Sequence, residues 1–203
     1  IGLEQAGVEL LHGRIVAGPN LRTSNRHVYV CGDAAGGHQF THVAEHHAGV
    51  VLKNILFHLP ARVEERVIPW CTFTDPELAR VGLSEREARQ SDIAHRVYTF
   101  PFTDIDRAQT DDETDGFVKI LVTPGGRLLG AAIVGPHAGE LIHEYALAMA
   151  ENVRLSSLSG MLHVYPTMAQ INRRVAQAYR REALTPGVKK WLKRLFSLRG
   201  RLD

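Results

Sequence analysis

Between residues 116 and 134 two apolar runs meet across a turn that leaves little choice of fold. Gly116-Phe117-Val118-Lys119-Ile120-Leu121-Val122 and Leu128-Leu129-Gly130-Ala131-Ala132-Ile133-Val134 are joined through Pro124-Gly125-Gly126, the signature of an antiparallel hairpin. The stretch from Gly139 to Glu151 puts Leu141, Ile142, Tyr145, Ala146 and Met149 on one helical face, and residues 167 to 182 read as a second helix. Upstream, Ser84-Glu85-Arg86-Glu87 has the spacing of a capping box, in which serine and glutamate satisfy each other's free backbone donors. The sum is an α+β domain, an antiparallel sheet flanked by helices.

The first third of the chain follows another plan. Gly13 to Gly18 predicts a short strand closed by Pro19-Asn20. His27-Val28-Tyr29-Val30-Cys31 predicts a strand buried on both faces of a parallel sheet. Gly32-Asp33 and Ala34-Ala35-Gly36-Gly37 then lead into a helix carrying Phe40, Val43, Ala44, Val51, Ile55 and Leu56, stopped by Pro60. This is strand, Gly-rich turn and helix, the unit from which α/β domains are built. The polar stretch between Pro60 and Pro69 marks a boundary. Three segments are expected: 1–67, 68–183 and a basic tail at 184–203.

Composition narrows the function. With 44% hydrophobic residues the chain can bury a core, and 24 Lys and Arg against 22 Asp and Glu give no global field that demands nucleic acid. No apolar run reaches the 18 or so residues of a membrane span, and a cytoplasmic protein is expected. Cys31 and Cys71 lie 40 positions apart, so neither a disulfide scaffold nor a CxxC pair is encoded. The opening, Ile1-Gly2-Leu3-Glu4-Gln5-Ala6-Gly7-Val8, reads as the interior of a larger protein, and the chain is expected to be one part of it.

A carboxylate and a helix start at the end of Gly32-Asp33 suit a ligand with both a hydroxyl and an electron-rich oxygen, because the carboxylate accepts and the helix N-terminus donates. An Asp that simply opens a loop would look the same. The wider string is more specific. Thr23-Ser24-Asn25-Arg26-His27-Val28-Tyr29-Val30-Cys31-Gly32-Asp33 with Thr41-His42-Val43-Ala44 resembles the second flavin-contacting motif of the pyridine nucleotide-disulfide oxidoreductases. Phe73-Thr74-Asp75-Pro76-Glu77-Leu78-Ala79-Arg80-Val81-Gly82 resembles the opening of their C-terminal dimerisation domain, and the hairpin and Tyr165-Pro166-Thr167 follow in the family's order.

This resemblance implies the end of an FAD domain followed by a dimerisation domain, in a homodimeric enzyme that passes electrons from NAD(P)H through FAD. It implies that Asp33 accepts from a ribityl hydroxyl, and that Gln39, Phe40, Thr41 and His42 lie against the flavin. The family's redox cysteine pair, first Gly-rich motif and nicotinamide domain are not in these residues, so this chain alone is expected to be inactive. The resemblance also assigns a general base, a His-Pro-Thr histidine with a glutamate five residues on, acting across the dimer. Those positions hold Tyr165 and Gln170. A free tyrosine titrates near ~10 and glutamine not at all, and tyrosine here resembles the mercuric reductase branch, although no cysteine follows Cys71. His163, two residues upstream, is the candidate substitute base. Thr167 and Gln170 also fit a T-x-x-Q capping box.

Two rival readings remain. His42-Val43-Ala44-Glu45-His46 matches H-x-x-E-H, which places two histidines one helical turn apart for zinc with a glutamate base; no third ligand is evident, and no metal is expected. The other rival is a non-catalytic dimerisation module, against which a C-x4-C pair upstream would favour the enzyme. In the tail Val188, Trp191, Leu192, Leu195 and Phe196 recur at helical spacing, with Lys189, Lys190, Lys193, Arg194, Arg199 and Arg201 against Asp203. This predicts a basic amphipathic helix that packs on the body or a partner subunit, or docks on an anionic membrane surface.

Overall fold

The computed structural model describes residues 1–196, and the chain divides into two compact units, Ile1–Ile68 and Pro69–Asp203. In the first, β1 (Leu10–Leu11) and β2 (Arg14–Ile15) make a minimal hairpin, a 3-10 turn spans Gly32–Ala35, and α1 runs Thr41–Leu56. The expected strand at 13–18 is therefore reduced to two residues. Residues 27–31 are not the doubly buried strand the sequence predicted. Tyr29 forms an isolated bridge to Arg22, and the Val30 N–H donates to Leu21 O at 2.9 Å. A buried parallel strand needs a paired neighbour along each edge, and among the described residues only the 21–23 segment lies alongside; Val30 is buried while Cys31 is exposed.

In the second unit the order is β3 (Trp70–Thr72), β4 (Glu77–Gly82), α2 (Glu85–Gln90), β5 (Arg96–Pro101), α3 (Asp106–Asp111), β6 (Phe117–Val122), β7 (Leu128–Gly135), α4 (Ala138–Ala150), α5 (Leu155–Leu158), α6 (Gln170–Glu182) and α7 (Pro186–Leu195). The five strands form one antiparallel sheet in the order β3-β4-β7-β6-β5. The expected hairpin is its centre, β6 and β7, and the architecture is the α+β arrangement of sheet and helices read from the sequence. One sheet face is apolar: Ala79 pairs with Ile133, Val81 with Ala131, and Val118 with Ile133, all buried. Fully burying a Val or Ile side chain contributes about 1.5–3 kcal/mol, and α4 answers with Leu141, Ile142, Tyr145, Ala148 and Met149. Ala146, assigned to that face from spacing, is only half-buried.

The capping box at α2 is present, with the Glu87 N–H donating to Ser84 Oγ at 3.2 Å and the Ser84 N–H to Glu87 Oε2 at 2.7 Å. The one expected at Thr167 is not. The Thr167 hydroxyl donates to Val164 O at 2.7 Å, and α6 starts three residues later than expected, at Gln170, with no side-chain cap. Among the described residues no helix is long and apolar enough to cross a membrane.

Candidate functional site

The first unit gathers its functional candidates around the turn that precedes α1. Gly32 has φ +63°, and a Cβ there would meet Ala44 Cβ at 3.0 Å, so glycine lets the turn sit directly on the helix. The contact is locked by the Gly32 N–H, which donates to His47 Nδ1 at 3.2 Å. His47 is buried; that burial, reinforced by the neighbouring His46 and opposed by Glu65, lowers its pKa. A neutral ring is the form that can accept at Nδ1. The Thr23-Ser24-Asn25 string clamps the preceding loop. Thr23 Oγ1 donates to Val28 O at 3.0 Å, Ser24 Oγ to Gly7 O at 3.0 Å and Asn25 Nδ2 to Ala6 O at 2.7 Å.

With the turn fixed, Asp33 and Gln39 line one groove of about 470 Å³ together with Arg14, Ile15, Gly36 and Gly37. Phe40 is the N-cap residue of α1, without a side-chain cap, and its ring stacks on His42 at 5.3 Å and on His38 at 6.1 Å. Thr41 is the first helical residue. A carboxylate acceptor, a side-chain amide and the positive end of a 16-residue helix thus occur within eleven residues of sequence, Asp33 to Val43. His42, Glu45 and His46 do lie on α1, but among the described residues no group of three or more His, Cys, Asp or Glu side chains is placed to hold a metal ion.

The second unit brings its candidates together near the start of α6. Tyr165 is exposed, and its hydroxyl donates to Asp106 Oδ2 at 2.9 Å; that hydrogen bond, with the charge of Asp106, raises the phenol pKa above its usual value near 10. Gln170 is the first residue of α6 and half-buried. His163 is buried, with Nε2 at 3.2 Å from both Glu144 carboxylate oxygens and Nδ1 at 3.3 Å from Met161 O. Asn172, fully buried, donates from Nδ2 to Glu144 Oε2 at 2.8 Å and to Leu141 O at 3.2 Å. This network ties α4, α6 and the 161–165 segment together. Glu77 holds the start of α4, where its carboxylate accepts from the Gly139 N–H at 3.0 Å.

Glu144, Asn172, Asp106 and His47 were not read from the sequence. Glu144 and Asn172 left a trace, since each is a polar residue adjoining or occupying the apolar phase of its helix, the position where buried polar groups need partners.

Residues 68–175 match the pyridine nucleotide-disulphide oxidoreductase dimerisation domain. The chain belongs to the pyridine nucleotide-disulfide oxidoreductase family. It is 38% identical over 180 residues to a dihydrolipoamide dehydrogenase of Chaetomium thermophilum, covering 88% of this chain and 36% of that protein. It is 37% identical over 173 residues to a dihydrolipoyl dehydrogenase of Chlamydia muridarum, covering 84% and 37%. Among solved structures it resembles LpdA of Mycobacterium tuberculosis, with TM-score 0.82 and 27% identity over 88% of this chain and 39% of the other. It also resembles the HOCl-induced flavoprotein disulfide reductase RclA of Escherichia coli, with TM-score 0.78 and 28% identity over 86% and 41%. The chain therefore spans little more than a third of the length of the curated relatives it matches.

Proposed function

We propose that this chain supplies flavin contacts and the subunit interface of a homodimeric, FAD-dependent NAD(P)H oxidoreductase. The observation that carries the reading is the groove shared by Asp33, Gln39, Gly36 and Gly37, placed just ahead of the start of α1 in sequence. An exposed carboxylate, an amide and helix-end N–H groups fit the hydroxyls and electron-rich oxygens of FAD. Asp33 would accept from a ribityl hydroxyl, and Gln39, Phe40, Thr41 and His42 would face the pyrimidine end, where the helix dipole favours negative charge. Bound there, FAD would carry electrons from NAD(P)H to the acceptor. Spanning about a third of its relatives, this chain by itself is expected to oxidise no NAD(P)H.

The acceptor reading rests on Tyr165 and Gln170, at the positions where the family's His-Glu base acts on the partner subunit. A phenol held by Asp106 and shifted upward keeps its proton at neutral pH; it donates a hydrogen bond and does not deprotonate a thiol. That favours a mercuric-reductase-like acceptor of metal type over a dithiol substrate. His163, with both ring nitrogens turned onto protein oxygens, positions the 161–165 segment.

The same segment supports the dimer. Leu162 and Val164 are 88% and 76% exposed, and Met161 and Tyr165 are also open, an apolar run that a protein surface would cover. Sedimentation equilibrium of the 203-residue chain at micromolar concentration is expected to give a dimer, since obligate interfaces commonly bury more than ~2,000 Å². The L162E/V164E variant is expected to be monomeric. A monomeric unmutated chain would count against the reading.

A further inference from the structure

The most distal described element has no place in either site, and its surface is divided in two. α7 (Pro186–Leu195) is preset as a helix, with Pro186 in its first turn and Thr185 Oγ1 accepting from the Val188 N–H at 3.3 Å. None of its residues is buried. At 100° per residue, Val188, Trp191, Leu192 and Leu195 fall within an arc of about 100°. Lys189, Lys190, Lys193 and Arg194 occupy the opposite arc. Trp191 is 59% exposed and Leu195 55%, so most of the apolar stripe is open, with Leu192 alone of its four side chains half-buried.

We propose that α7 is a peripheral anchor that lies on an anionic lipid surface, with Trp191 and Leu195 in the interfacial layer and the lysines against the headgroups. Charge decides for lipid over a second protein surface. Residues 184–203 hold six of the chain's 24 cations and one of its 22 acidic residues, so the remainder, with 18 cations against 21 acids, is net negative. No Asp or Glu occurs from 183 to 202. A second copy of this chain would offer the basic face no net negative charge from its own tail and only a weakly acidic body, whereas an anionic bilayer offers a dense layer of it. A helix of ten residues is about 15 Å long, enough to lie in the interface and too short to span. Arg199 and Arg201, which belong to the same charge run, lie outside the described residues, as does Asp203.

The test is flotation of the 203-residue chain with large unilamellar vesicles of phosphatidylcholine, with and without 30% phosphatidylglycerol by mole (a ratio of about one anionic lipid in three, enough for a surface potential). Binding is expected to the anionic vesicles and not to pure phosphatidylcholine. Neutralising two cations in K190Q/K193Q is expected to weaken partitioning about 30-fold, roughly fivefold for each basic residue at the surface. W191E/L195E is expected to abolish it, with circular dichroism unchanged because neither side chain is in the core. No binding to anionic vesicles would overturn the proposal. So would full binding by W191E/L195E, or conversion of that variant from dimer to monomer, which would make the stripe a subunit contact.

Discussion

In the intact protein, Tyr165→His combined with Gln170→Glu is expected to raise turnover of small disulfides such as lipoamide by roughly 10²-fold or more, the lower end of what a positioned general base contributes. The native pair is not expected to do this work. Tyr165 donates to Asp106 at 2.9 Å and its pKa is shifted upward, so the phenol keeps its proton near neutral pH and does not serve as the base. An imidazole in the same place would titrate near ~6.5, and a glutamate one short loop away would orient it as second carboxylates orient histidines in acid-base sites. The Tyr165→Phe variant removes the hydroxyl without adding a base and is expected to gain nothing. Steady-state rates with lipoamide would decide, and fast lipoamide turnover by the unmutated protein would contradict the metal-type acceptor assignment.

A second large effect is expected in the scaffold. At Gly116, φ is +122°, and a Cβ would lie 1.9 Å from Val134 O and 2.7 Å from Val134 C. These are backbone atoms of β7, the central strand, and cannot swing aside as a side-chain end would. Gly116→Ala is therefore expected to cost at least ~3 kcal/mol, combining backbone strain with overpacking, and to lower Tm by roughly 6–12 °C for a protein of this size. Gly125→Ala, in the same hairpin, meets nothing closer than Thr123 Oγ1 at 3.9 Å and is expected to leave Tm nearly unchanged. Equal melting temperatures for the two variants would show that the close approach at Gly116 is not tight.

The hairpin was legible because two periods of evidence coincide in it: apolar runs of strand length and a turn of Pro and Gly between them. α4 and the α2 capping box were legible for the same local reason. β3, β4 and β5 were not read, because three residues at Trp70–Thr72 carry no period, and Arg80 within β4 and Arg96 at the start of β5 break the apolar pattern. β4 and β5 are strands because the hairpin offers them edges to pair with, and β3 pairs in turn on β4. The opposite error came at residues 27–31, where four apolar side chains promised a sheet strand and only Val30 found a core. Composition predicts burial there; pairing requires a neighbour that local sequence does not encode.

The candidate sites divide along the same line. Asp33, Gln39 and Tyr165 stood out through motifs, whereas their settings depend on long-range contacts: Tyr165 meets Asp106 across 59 positions, His163 meets Glu144 across 19, and Gly32 meets His47 across 15. Such pairs are set by tertiary packing, and the sequence shows only that a polar residue sits where an apolar one would be ordinary.

The most direct measurement is the FAD affinity of the intact protein compared with its Asp33→Ala variant, read by flavin absorbance and fluorescence in titration. Loss of a charge-assisted acceptor for a ligand hydroxyl amounts to ~1.5–3 kcal/mol. The account predicts stoichiometric flavin in the unmutated protein and an affinity roughly tenfold to 150-fold lower in the variant, with the dimer retained. An intact protein that holds no flavin, or an Asp33→Ala variant that binds it as tightly as before, would contradict the assignment of residues 33–42 to a flavin site.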